Sequence, residues 1–367
     1  MAKKRRNKKS SPIRKLMDPR RIIIPIVLGL GVAGYLLYSE LDPKAFRDID
    51  FTGKTYFWIF IALLAAAARE FGYMYRLRIL SDKRISWRNV FDDIMLWEFS
   101  SAITPSVVGG SGVAIFILSK EKLSVGRSTA IVMTTAFLDE LFYVISVPLL
   151  FVVVGTTALF PDTIPNMEVF GMRLGVQQVF WIGYVFILLL ITVILLGIFV
   201  SPQGFKKLLI RVFSLPFLKR WLRAAYRTGD EVVTTSDELR EKPFIFWVRA
   251  FLATSLSWTA RYLTANFLLL AFTSFGFMDN LLVLSRQLVM WVIMLISPTP
   301  GSAGVAEIAF DQFLADYTPI GIMAAVAFLW RLFTYYPYLF LGIIILPRWI
   351  QRVYLGRKLI TFKKPQK

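Results

Sequence analysis

The chain has 367 residues, 56% of them apolar, with 43 Lys and Arg against 24 Asp and Glu, a formal net charge of +19. It contains neither cysteine nor histidine. This excludes disulfides, thiolate or imidazole nucleophiles and the usual zinc ligand sets, so neither a cofactor nor a metal is expected. Nucleic acid is not an expected partner either, because the basic residues cluster beside apolar runs, as in the cytoplasmic segments of membrane proteins.

Residues 1–21 form a basic N-terminus and predict a cytoplasmic start. The apolar run Ile22–Tyr38 follows with no small-residue cleavage site, and reads as an uncleaved first helix. Tyr56–Tyr75 predicts a second helix, which returns to an inner basic group of Arg76, Arg78, Lys83, Arg84 and Arg88. Residues 90–119 are apolar but broken at Thr104, Pro105, Gly109 and Gly110, and they end at Lys120 and Lys122. A segment flanked by basic residues on both sides, with arms too short to cross, predicts a re-entrant hairpin.

Thr129–Val154 predicts a third helix, closing a first repeat over 22–155. The second repeat spans 179–346. It opens with the helix Val179–Val200 and continues through a basic cytoplasmic segment, 201–243. Within that segment, Phe205–Tyr226 alternates charge with apolar residues, the pattern of a helix lying on a membrane surface. Asp230–Lys242 reads as a solvated linker. Phe244–Phe272 is the fifth spanning helix. Residues 283–316, broken at Pro298, Pro300, Gly301 and Gly304, form a second hairpin entered from the outside. Ile320–Leu346 is the last helix, followed by the basic cytoplasmic tail 347–367.

The resulting fold class is all-α and polytopic. It has about six full transmembrane helices and two Pro/Gly-broken re-entrant hairpins in an inverted repeat, with both termini cytoplasmic. The two breaks share an isoleucine, a hydroxyl residue, a proline, then Gly-Ser, Gly and Val-Ala, at Ile103–Ala114 and Ile296–Ala306. Paired Gly/Pro-interrupted segments in two inverted halves point to a transport site near the membrane midplane.

Ionisable residues sit inside the apolar runs. An isolated charge at the bilayer centre costs about 2.5–3.5 kcal/mol on the insertion scale, so these groups should face one another or a cavity. The candidate substrate-binding residues are Arg69, Glu70, Glu98, Asp139, Glu140, Arg261, Glu307 and Arg331. Asp92, Asp93 and Arg286 lie near segment ends and suit structural ion pairs. Helical spacing groups Arg69 with Tyr73 and Arg76, Asp139 with Thr135 and Tyr143, and Arg331 with Thr334, Tyr335 and Tyr338. Arginine grips phosphate through a planar fork, and the mixture of signs suits an anionic or zwitterionic headgroup.

The stretch from Thr104-Pro105 through Gly109-Gly110, then Gly126-Arg127 and Asp139-Glu140, resembles the first half of the flippase-like membrane domain family. That family is best known from the lysylphosphatidylglycerol synthase/flippase. Pro298-Thr-Pro-Gly-Ser-Ala-Gly-Val-Ala-Glu307 is similar to its Pro-Thr-Pro-Gly-Gly-x-Gly-x-x-Glu signature, and the likeness covers about residues 20–350. Many members carry an arginine and an acid just after the first proline, whereas Ser106–Ser111 holds neither.

The resemblance implies a lipid flippase moving a phospholipid headgroup across the bacterial inner membrane. With the chain ending at Lys367, no soluble aminoacyl-transferase domain is expected, and neither is an enzyme activity. Membrane lipids, anionic or zwitterionic phospholipids, are the expected partners. The alternatives are a small-solute or ion secondary transporter, and a non-catalytic membrane partner of an envelope-biosynthesis protein. An intramembrane enzyme using Glu98 or Glu307 is a further one.

Overall fold

The computed structural model describes residues 51–104, 107–161, 167–169, 172–295, 305–318 and 322–355. The N-terminal segment 1–21, the run Ile22–Tyr38, most of the basic tail, Pro105, Pro298, Pro300, Gly301 and Gly304 lie outside the described residues.

Long helices dominate. α1 spans Gly53–Leu80, α2 Trp87–Ile103, α3 Val107–Lys120 and α4 Val125–Val154. α5 spans Val176–Ile194 and runs on as a π-helix over Leu195–Val200. α6 is Pro202–Phe213, α7 Leu222–Arg240, α8 Phe244–Phe272 and α9 Phe277–Met294. α10 is Val305–Leu314, α11 Met323–Thr334 and α12 Tyr336–Ile350. Between α4 and α5, β1 (Met167–Val169) and β2 (Met172–Leu174) make a small antiparallel hairpin in which Met167 pairs with Leu174.

Local sequence sets the ends. Thr52 and Thr55 cap α1 reciprocally. Ser86 caps α2 by accepting from the Asn89 amide, and Ser124 caps α4 by accepting from the Arg127 amide. α2 stops at Thr104, the residue before Pro105, where proline disfavours helical backbone. α4 ends at Gly155, whose φ of 83° is open to glycine without strain.

Among the described residues, five segments are long and apolar enough to cross a membrane: Gly53–Leu80, Val125–Val154, Val176–Val200, Phe277–Met294 and Ala325–Tyr354. Their outer faces carry large apolar side chains in the open, with Val152 at 85% and Leu189 at 60% exposure. In water such surfaces would aggregate; against lipid they are matched. α8 has the length at 29 residues, but Arg249, Arg261 and Asn266 make it more polar, and much of it is buried by neighbouring helices.

α1 and α8 run antiparallel through the centre. Lys54 Nζ donates to the Thr273 carbonyl at 2.6 Å. Trp58 stacks on Phe267, and Ser257 Oγ donates to the Arg69 carbonyl at 2.9 Å. Gly72 faces Ala253, and a Cβ there would stand 2.8 Å from the Ala253 carbonyl oxygen. Small residues allow this backbone approach, the usual solution where lipid offers no hydrophobic drive. Gly72→Leu is expected to lower stability by about 1–3 kcal/mol through overpacking, read as a lower unfolding temperature of the detergent-solubilised protein.

The helical order of α1–α4, a long helix, a broken pair and a closing span, recurs in α8–α12, where α11 and α12 together make the closing span, and the leading helices of the two sets are antiparallel. The packing crosses over. One apolar core joins α2 and α3 to α12. Another joins α9 and α10 to α4 and α5. Each broken pair thus packs on the closing helix of the other set.

Three expectations need correction. The last helix is not continuous from Ile320 to Leu346: it breaks at Tyr335 (φ −135°, ψ −58°) between α11 and α12. Pro337 explains the break, because it lacks an amide proton and its ring clashes with the preceding turn. The stretch Asp230–Lys242 is not a solvated linker; residues 222–240 form α7, with Gly229, Val232, Ser236 and Leu239 buried on one face at helical spacing. Arg76 does not mark an aqueous surface, since it is only 2% exposed and paired inside.

α6 and α7 dock on the N-terminus of α4. Arg127 bridges Asp82 and Glu238, both at 2.6 Å. Glu231 accepts from the Gly126 amide at 2.9 Å. Partial burial pushes the Glu231 carboxyl up, but the Gly126 amide, Arg227 and Ser124 outweigh it and hold the group below its ordinary range.

Candidate functional site

α1, α2, α4, α8, α9, α11 and α12 surround one cavity of about 260 Å³. Arg69, Glu98, Asp139, Glu140, Arg261 and Arg331 all line it. A side chamber of about 90 Å³ adds Arg76, Leu77 and Ile94, and shares Tyr73, Trp97, Glu98, Thr135 and Asp139 with the main space. Thr104 and Ser111 bring the ends of α2 and α3 to the wall. Gly109 and Gly110 sit in the first turns of α3, and Gly110 packs directly on Ser101.

Most of these charges are paired. Arg69, 2% exposed, donates to Glu70 and Tyr338, and to Glu98 Oε1 at 3.0 Å. Tyr338 Oη donates to Glu70 Oε1 at 2.8 Å, so Glu70 serves Arg69 rather than the cavity. Arg76 grips Asp139 with both terminal nitrogens, at 2.5 and 3.2 Å. Trp258 Nε1 donates to Asp139 Oδ1 at 2.8 Å, and Arg76 Nη1 donates to Thr254 Oγ1 at 3.0 Å. The ion-pair partner of Asp139 is Arg76.

Two charges of opposite sign stand apart. Arg261 lies over Trp291 at 4.5 Å and Trp258 at 5.6 Å. Among the described residues it has no carboxylate in ion-pair range. Glu140, 7% exposed, has no hydrogen bond or ion pair among the described residues. Arg331 lies over Tyr335 at 4.4 Å. Glu307 sits on α10, and its side chain lies outside the described residues.

The charges near segment ends pair locally. Arg286 donates to the Phe313 and Ala158 carbonyls and to Asp316 Oδ2. Asp92 and Asp93 lie beside Arg352.

The cavity also has an aromatic wall that the charge pattern does not disclose: Trp97, Trp258, Trp291 and Trp330. The same spacing that carries Gly112 onto Gly304 and Val113-Ala114 onto Val305-Ala306 carries Arg69 onto Arg261, Asp139 onto Arg331 and Tyr143 onto Tyr335. All six of those site residues line the one cavity. One spacing in the sequence thus relates both the Gly/Pro-rich stretches and the site residues, with one acid exchanged for a base.

Comparison with known proteins agrees with this architecture. A membrane protein of Archaeoglobus fulgidus, described as a UPF0104 membrane protein, is 25% identical over 284 residues, covering 73% of this chain and 79% of the relative. No solved structure gives a significant match. Residues 22–342 match the family described as the lysylphosphatidylglycerol synthase TM region. With most of its length inside that match, and its helices enclosing a charged cavity, this chain belongs to the lysylphosphatidylglycerol synthase transmembrane-region family.

Proposed function

We propose that the protein moves a phospholipid headgroup across the cytoplasmic membrane through the cavity shared by its two helical sets. The observation that carries this reading is that two cavity charges of opposite sign, Arg261 and Glu140, have no ion pair among the described residues. Arg261, held by Trp258 and Trp291, offers a planar fork to a phosphate. Glu140 offers a carboxyl to an ammonium, whose positive charge favours its ionised form. Tryptophan and tyrosine faces around them attract a cationic headgroup group as well.

The size fits a headgroup and not its tails. A volume of about 260 Å³ falls just below the ~300–1,000 Å³ of small-molecule pockets, so acyl chains must stay in the lipid outside. The break at Tyr335 and the end of α2 are tied together by Tyr335 Oη, which donates to the Ala102 carbonyl at 3.1 Å. In this reading α2–α3 and α9–α10 are re-entrant hairpins whose ends gate the cavity. Alternate opening would rock one set against the other around α1 and α8.

The reading is tested in liposomes holding purified protein and labelled phospholipids. Faster leaflet exchange than in protein-free liposomes supports it, and unaltered exchange for every anionic and zwitterionic lipid rejects it. Excess free phosphoethanolamine separates a lipid carrier from a solute carrier: uptake of the free compound would favour the latter. Glu140→Gln is expected to cost a zwitterionic lipid about tenfold in exchange rate, the equivalent of ~1.4 kcal/mol for one lost charged hydrogen bond. A lipid without an amine should be unaffected. Equal losses for both lipids would remove Glu140 from the amine subsite.

A further inference from the structure

A second polar cluster lies away from the cavity, where α2, the residue after α3 and the π-helical turn following α12 meet. Arg352 sits in that turn, Gln351–Leu355. Three carboxylates converge on its guanidinium. Glu121 Oε1 is 2.5 Å from Nη2, Asp92 Oδ2 is 3.1 Å from Nη1, and Asp93 Oδ1 is 3.9 Å from Nη2. Asn89 donates to Glu121 Oε2 at 2.9 Å and accepts from Arg352. Arg88 and Arg348 also act on Asp92 electrostatically.

Asp93 is the anomaly. It is 1% exposed, and neither carboxyl oxygen accepts a hydrogen bond. At 3.9 Å the Arg352 contact is beyond hydrogen-bond reach. The Trp349 indole N–H acts on this carboxyl but outside ordinary hydrogen-bond geometry, and it has no other partner. A carboxylate this deep, with no well-formed hydrogen bond and beside Glu121 and Asp92, is a costly place for a negative charge; such a group neutralises instead. Among the described residues no three acidic groups are arranged to hold a metal ion, which leaves a proton as the neutralising ligand.

We propose that Asp93 is a proton-binding site that loads and releases a proton as α2 moves against the turn after α12. With the proton bound, Arg352 is balanced by Glu121 and Asp92, and Asp93 rests neutral against Trp349. Release passes the proton to water at the Asp92 rim, where Asp92 is 20% exposed. The new negative charge then repels Glu121 and Asp92 and loosens α2. Asp93, Trp97 and Ser101 lie on successive turns of one face of α2, and Trp97 and Ser101 line the cavity. A change at Asp93 is thus transmitted along one rigid helix to the cavity wall. Only this last coupling rests on the transport function proposed above; the proton site does not.

Infrared difference spectra of the protein in liposomes, taken between mildly acidic and mildly alkaline buffer, test the site. A carbonyl stretch of a buried carboxylic acid should be present in the starting protein and in Glu140→Gln and Asp92→Asn, and lost in Asp93→Asn on the Glu140→Gln background. Asp93→Glu should keep the band at a shifted frequency, which holds the test open if Asp93→Asn does not fold. Absence of such a band in Glu140→Gln, or its persistence unchanged in Asp93→Asn on that background, overturns the proposal. In exchange assays the pH dependence of the starting protein should flatten in Asp93→Asn. A band with no lipid exchange at any pH would reject the transport function and keep the proton site; exchange without the band would do the reverse.

Discussion

Replacing Arg261 with alanine is expected to slow phospholipid exchange by about 10–100-fold while leaving the protein folded. The expectation follows from what Arg261 does in the empty cavity. It stacks on Trp291 and Trp258 and has no acidic partner among the described residues, so removing it strands no buried carboxylate. Its loss removes a charge-assisted contact to phosphate, worth about 1.5–3 kcal/mol. Arg261→Lys should recover only part of the rate, because an ammonium keeps the charge but not the planar fork or the stacking. Exchange rates per reconstituted protein, alongside unfolding temperatures of the same variants, check this. An Arg261→Ala variant that exchanges lipid at the original rate removes Arg261 from the phosphate subsite.

The opposite outcome is expected at Arg76 and Asp139. This pair is bidentate, with Arg76 buried and Asp139 largely so, and Thr254 and Trp258 add hydrogen bonds to it. Taking away either partner leaves an uncompensated charge at membrane depth, at a cost of about 3–5 kcal/mol. Arg76→Ala and Asp139→Ala should therefore each lower the unfolding temperature markedly. The double change Arg76→Met with Asp139→Leu should restore most of it, since apolar side chains of similar volume replace a buried pair with little penalty. If both single variants unfold like the starting protein, the pair is not structural, and Asp139 returns to the list of ligands for the headgroup.

The contrast between Arg261 and Arg76 marks the limit of what the sequence discloses. Both are arginines on one face of a long apolar helix, and nothing in their neighbours separates a ligand from half of an ion pair. Partners decide it, and partners come from distant segments: Asp139 reaches Arg76 from α4, while Glu98 reaches Arg69 from α2. The existence and order of the long helices were legible because apolar length is a strong signal. Phe244–Phe272 has the same bounds in sequence and structure. The break at Tyr335 was signalled by Pro337 but masked by the apolar run around it. α7 was hidden by its charge, since Asp230, Glu231, Asp237 and Glu238 obscure a buried face of Gly229, Val232, Ser236 and Leu239. The aromatic wall was invisible for a different reason: tryptophans are common in membrane segments, and only the packing shows which four meet. The repeat spacing carries more than the hairpin motifs suggested, because it also relates Arg69 to Arg261 and Tyr143 to Tyr335.

The central claim is that a lipid headgroup enters the cavity bounded by Arg261 and Glu140. Photocrosslinking tests it most directly, using a phospholipid that carries the photoreactive group on its headgroup, reconstituted with the protein and analysed by peptide mapping. The account predicts labelling of α4, α8 and α9 around Glu140, Trp258 and Trp291, strongly reduced in Arg261→Ala and competed by unlabelled phospholipid. Labelling confined to the outer, lipid-facing surface around Val152 and Leu189, and insensitive to Arg261→Ala, would contradict it.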